Sequence, residues 1–196
     1  MHSMDRKQFL GTSLRLGACC GAALLLERVP LAGADEAAAP PCEKKIEFVK
    51  GWVADFMSQM DARLDPATRA RLMEANGRAC FLGGHGAAPP PDPPIDVDRW
   101  VEGVRKYVGP ENAWREGDVV HFKYVGNPRG LRVADGYCLC PIVEDGPATL
   151  SPTFCHCSVG YVSELFASGT GRKASVALAD SLRRGGKECH FLIRLA

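Results

Sequence analysis

The chain has 196 residues, 46% of them hydrophobic, and a formal net charge of +1. That length suffices for one domain with a buried core. The balanced charge, with no basic stripe, no RNA-binding aromatic motif and no helix-turn-helix pattern, argues against a nucleic-acid partner.

The N-terminus reads as an export leader over residues 1–34. Arg6-Lys7-Gln8-Phe9-Leu10 resembles a twin-arginine signal in which lysine replaces the second arginine. An apolar run follows at 16–26, about 11 residues and too short to span a bilayer as a helix. Ala32-Gly33-Ala34 then offers a small-x-small cleavage site. Leu16-Gly17-Ala18-Cys19 competes as a lipobox, which would make Cys19 a lipid anchor, although Arg15 interrupts the apolar segment before it. Cleavage after Ala34 leaves a near-neutral chain, without a transmembrane span, in the periplasm or elsewhere outside the cytoplasm. It also removes Cys19 and Cys20 and leaves seven cysteines. An odd number in an exported protein implies a free thiol, an intermolecular bridge or a metal site.

Residues 35–41 form a small-residue linker. Over 46–64, Val49, Trp52, Val53, Phe56, Met57, Met60 and Leu64 recur at steps of three and four, the mark of a helix face. Asp65-Pro66 supplies a cap and a first-turn proline for a second helix over 66–75, with Asn76-Gly77 as its stop. Residues 83–95 are a Pro-rich connector between these helices (46–82) and the rest. Asp96 caps a third helix carrying Val97, Trp100, Val101, Val104 and Tyr107, ended by Gly109-Pro110. The pattern then turns β-rich: a strand over 118–125, a turn at 126–130, a returning strand over 131–139 and a loop at 141–152. A helix over 153–168, a strand over 172–178, a turn at 184–186 and a strand over 188–195 complete the chain. The expected architecture is one α+β domain over 35–196. Its antiparallel sheet of two hairpins, with a helix between them, packs on an α-helical N-terminal half.

The chemistry concentrates near the end. Cys138-Leu-Cys140-Pro141, Cys155-His156-Cys157 and Cys189-His190 put five thiols and two histidines within 53 residues. At the end of a strand, Cys138 and Cys140 would share one face. At a helix start, Cys155 and Cys157 would meet free backbone N–H groups that lower a thiol's pKa. Three readings stay open. The first is a metal site of Cys138, Cys140, Cys155, Cys157 and Cys189, with His121 and His156 as further candidate ligands. Zinc is the default ion for it, and copper or an iron–sulfur centre suits the same donors. The second is disulfides, with Cys42, Cys80 and Cys189 as spare partners. The third is a nucleophilic Cys155 or Cys157, with His121 or His190 as base, because His156 does not face its helical neighbours.

Other candidates have plainer roles. Trp52, Trp100, Met57 and Met60 read as core, and Trp114 as a pocket wall or an apolar anchor. Gly185-Gly186 reads as a turn, while His85, Glu144, Asp145 and Glu164 read as solvated. His121 reads first as a structural histidine, and Cys42 as free or paired with Cys80.

The segments Tyr137-Cys-Leu-Cys-Pro141, Ser151-Pro-Thr-Phe-Cys155-His-Cys-Ser-Val-Gly160-Tyr and Ser181-Leu-Arg-Arg-Gly185-Gly-Lys-Glu-Cys189-His-Phe-Leu-Ile193 resemble a cysteine-containing domain. It is similar to the vinyl-reductase-type regulatory domain and to L-2-amino-thiazoline-4-carboxylate hydrolase-like proteins, over about 114–196. The resemblance implies a small molecule bound between helix and sheet, and cysteines as metal ligands. Cys155 or Cys157 and Cys189 match the first and last of these, and Asp180-Ser181-Leu182 stands where regulatory members carry another. Cys138 and Cys140 would replace it. The function expected is an exported sensor or carrier of a metal ion or small ligand. The alternatives are a cysteine-dependent hydrolase of a small cyclic or amide substrate, and a disulfide-stapled structural or interaction domain.

Overall fold

The computed structural model describes residues 41–85, 89–126, 132–140 and 150–195. The leader, Cys19, the Cys42 side chain, the turn at 127–130 and the loop at 141–149 lie outside the described residues. No described helix is long and apolar enough to cross a membrane.

The chain divides into two compact units, Met1–Gly51 and Trp52–Ala196. Helix α1, Pro41–Arg63, begins in the first and ends in the second. Within the second unit, Met57 and Met60 are buried against Met73, Leu150 and Phe154, with Val53 and Leu64 packed beside them. Val53, Met57, Met60 and Leu64 fall on one narrow stripe. Trp52 lies about 100° round the helix from Val53, so it stays 58% exposed, stacked on Phe56 at 5.4 Å. The expectation that Trp52 is core is thereby corrected.

Helix α2 spans Pro66–His85. Asp65 caps it, accepting from the Thr68 N–H at 3.0 Å and the Thr68 hydroxyl at 2.6 Å. It does not stop at Asn76-Gly77; it runs through that pair and into the expected connector. Gly77 is buried there because α4, His156–Thr170, crosses against it. A Cβ on Gly77 would overlap the Cys157 carbonyl, and one on Gly160 would overlap the Glu74 carbonyl. The glycine is a packing device, not a stop signal.

Helix α3, Val97–Val108, starts as expected: Asp96 accepts from the Asp98 and Arg99 N–H groups. A hairpin then joins β1, Ala113–Glu116, to β2, Val119–Lys123. Gly117, at φ 57°, opens its two-residue turn, as hairpin loops of this length favour. The expected hairpin of 118–125 with 131–139 is corrected. Beyond an isolated bridge of Arg132 to Gly126, the second segment holds a 3-10 turn, Val133–Asp135, and an irregular stretch to Cys140. Val133 is buried and Gly136 takes φ 86°, so the chain curls where a strand would continue.

A second 3-10 turn, Pro152–Cys155, leads into α4, with Ser151 accepting from the Thr153 N–H. Strand β3, Ala174–Asp180, a third 3-10 turn, Leu182–Arg184, and β4, His190–Leu195, follow. The sheet is antiparallel in the order β1-β2-β4-β3. The fold is therefore α+β, with helices first and the sheet in the second half. Val120, Phe122, Phe191 and Ile193 point from the sheet into a core shared with Val97 and Val101 of α3 and Val162 and Phe166 of α4. The alternate residues of β2 and β4 form the outer face.

Candidate functional site

The thiols converge on the inner side of the sheet. Cys138, Cys140, Cys155 and Cys189 line one small cavity of about 20 Å³. Its walls are Tyr124, Phe154, Leu178 and Phe191, with Ser158, Ser181 and Arg183 as polar members. Three separate segments place the cysteines. Cys138 and Cys140 come from the irregular stretch after Gly136, not from a strand end. Cys155 ends the 3-10 turn before α4, and Cys189 immediately precedes β4.

Cys157 does not line the cavity, though it packs on the same methionine cluster as Cys138 and Cys140. Residues two apart at a helix start point to nearly opposite sides. Its sulfur therefore faces α2, where it accepts from Asn76 Nδ2 at 3.8 Å. His156 also leaves the cavity: its Nδ1 is 3.8 Å from Glu74 Oε1 on α2. Burial, then Arg184, pulls its pKa below the ordinary value. His121 belongs to the outer face of β2, because Val120 and Phe122 take the inner one. As a ligand of the thiol site it is ruled out by strand alternation.

The expected lowering of thiol pKa at the start of α4 is reversed. Burial raises Cys155, Cys157 and Cys189, the last two to about 11. Cys80 adds to the rise at Cys157. Cys138 adds to it at all three. Opposing groups are weaker: Cys155 Sγ donates to Ser181 Oγ at 3.6 Å, Arg183 and Arg184 lie near it, and the Leu182 N–H faces Cys189. Desolvation outweighs the helix dipole because the sulfurs sit under aromatic and aliphatic walls. These are protonated thiols, and a buried protonated thiol is a poor nucleophile. No disulfide joins any two of Cys80, Cys138, Cys140, Cys155, Cys157 and Cys189.

The model of a family of unknown function, DUF6144, matches residues 129–196. The match takes in every cysteine of the cavity. No curated protein matches the chain.

The donors fit a soft ion in kind: sulfur ligands under apolar walls. They fit less well in number. Among the described residues no three His, Cys, Asp or Glu side chains form a group that could hold a metal ion, whereas tetrahedral zinc and iron–sulfur clusters ask for four. Sequence reasoning missed a second hollow. An open groove of about 610 Å³ runs between α3 and β1, with Trp114 on its wall as the sequence allowed. Its charges are already engaged in part: Asp96 caps α3 and Arg115 pairs with Asp98 at 3.1 Å.

Proposed function

We propose that the chain is an exported carrier or sensor of a soft metal ion, held by thiolates at the inner cavity. Cys155 and Cys189 are the donors, and Cys138 and Cys140 stand beside them. The carrying observation is that four cysteines from three separate segments line a cavity of about 20 Å³. A space of that size takes one water-sized occupant, while pockets for organic ligands run to about 300–1,000 Å³. The same contrast, with the raised thiol pKa values, weighs against the hydrolase reading. An ion satisfied by two thiolates, of the Cu(I) kind, suits a site without three convergent donors better than zinc does. Binding releases the thiol protons, and the sulfur–metal bonds replace the protonation that burial otherwise enforces.

The test is an anaerobic Cu(I) titration of the reduced chain against a chromogenic Cu(I) chelator. One Cu(I) per chain should transfer from the chelator. Cys155→Ser and Cys189→Ser should each weaken binding more than about 100-fold, since even ligand-supporting partners contribute about 10–100-fold. Cys80→Ser should leave it unchanged. Retention of full affinity in both cavity variants contradicts the reading.

A further inference from the structure

The outer face of the sheet carries a second cluster, unrelated to the thiols. His121 of β2 and His190 of β4 are diagonal neighbours, because His121 pairs with Leu192 and Lys123 with His190. Residues so placed share a face and are within reach of each other. Their inner nitrogens, His121 Nδ1 and His190 Nε2, are 3.0 Å apart. Each outer nitrogen faces a carboxylate: His121 Nε2 lies 3.6 Å from Glu116 Oε2, and His190 Nδ1 lies 3.7 Å from Glu188 Oε1.

That arrangement has a consequence for the protons. A neutral imidazole has one N–H. One such N–H turned inward makes the 3.0 Å contact a ring-to-ring hydrogen bond; when both turn outward to their carboxylates, the inner nitrogens meet lone pair to lone pair, and a cation between them relieves the repulsion. Two nitrogens bound to one ion at about 2.0–2.1 Å stand roughly 2.8–3.4 Å apart for angles from a right angle to tetrahedral. The observed 3.0 Å falls within that span. A histidine that binds metal with one nitrogen and faces a carboxylate with the other is the usual supported ligand.

The supports are themselves fixed. Glu116 accepts from Trp114 Nε1 at 2.9 Å, and Glu188 pairs with Lys123 at 2.8 Å. Trp114 stacks on His121 with centroids 4.5 Å apart and planes 6° from parallel.

We propose that His121 Nδ1 and His190 Nε2 together take one borderline divalent ion of the Ni²⁺, Cu²⁺ and Zn²⁺ class, oriented by Glu116 and Glu188. Imidazole donors suit these ions. Among the described residues no third His, Cys, Asp or Glu completes a group, so water fills the remaining positions. The two sites divide by hardness: sulfur inside the sheet, nitrogen outside.

The test is a Ni²⁺ titration of the full reduced chain, followed by calorimetry and by tryptophan fluorescence. Wild type should take up one Ni²⁺ that His121→Gln and His190→Gln each lose and that Cys155→Ser and Cys189→Ser keep. Binding should quench Trp114, which stacks on His121, and Trp114→Phe, which also takes the indole N–H from Glu116, should remove the quench and weaken calorimetric uptake about 10–100-fold without abolishing it. Glu188→Gln should weaken uptake about 10–100-fold. Equal Ni²⁺ uptake by wild type and both histidine variants would overturn the proposal and leave a proton as the shared cation. So would a quench that survives Trp114→Phe unchanged.

Discussion

At Cys157 and Cys189 the energetic contest is between the helix start or strand end, which offers N–H groups, and the apolar walls, which withdraw water. The walls win, and both thiols rise to about 11. An unfolded thiol titrates near about 8.5, so the folded state binds the proton more tightly. Stability from these groups is complete below that unfolded value and is lost as pH climbs through about 11. Urea unfolding of the reduced protein should therefore show a midpoint that falls between about pH 8.5 and about pH 11, and Cys189→Ala should flatten that fall. Iodoacetamide should modify exposed Cys80 at neutral pH well before Cys189. Rapid alkylation of Cys189 at neutral pH in the folded chain would show that desolvation is not in control. The sequence displays these cysteines and their spacing but not their burial. Cys155 and Cys157 do stand at a helix start; the inference of acidic thiols fails because it weighs the local dipole without the tertiary cover.

Among the elements, the crossing of α2 with α4 is the tightest fit. Gly77 and Gly160 each lie against the other helix's backbone, with no room for a methyl group. Overfilled packing typically costs about 1–3 kcal/mol, occasionally more, and rigid backbone yields less than side chains do. Gly77→Ala and Gly160→Ala should each destabilise the fold by about 3 kcal/mol, read as a lower denaturation midpoint. Gly83→Ala, which meets nothing within 4 Å, should not. The Asp96 cap is a smaller contributor: Asp96→Ala should cost about 0.5–2 kcal/mol. Local signals carry far here. Asp96, Asp65-Pro66 and the methionine stripe are readable because caps and periodicity act within a turn or two. Gly77 misleads, because a glycine that stops a helix and a glycine that admits a neighbour are alike in sequence. The β1–β2 hairpin escapes the sequence reading although Glu116-Gly117-Asp118 carries its turn. The bend after Gly136 reads as a strand because Leu131 and Val133 suit either.

For the whole molecule, one wall of core joins the sheet to α3 and α4. Phe166 and Phe191 are fully buried in it, and Phe166→Ala should cost about 3–5 kcal/mol, measured by calorimetric unfolding. The same wall separates two polar chemistries, thiols on the inner side and histidines on the outer. Strand alternation decides which residue goes where, and that is why His121 is legible as a candidate ligand but not as one excluded from the thiols: its face depends on which strand β2 pairs with. The antiparallel sheet and its place in the second half are readable from composition and turns. The order β1-β2-β4-β3, set by long-range pairing, is not. The central claim is that Cys155 and Cys189 bind a soft ion at the inner cavity. Copper-edge X-ray absorption of the Cu(I)-loaded chain tests it most directly. A first shell made of two sulfurs, lost in Cys155→Ser, is the predicted result; a first shell of nitrogen and oxygen, or one unchanged in that variant, would contradict it.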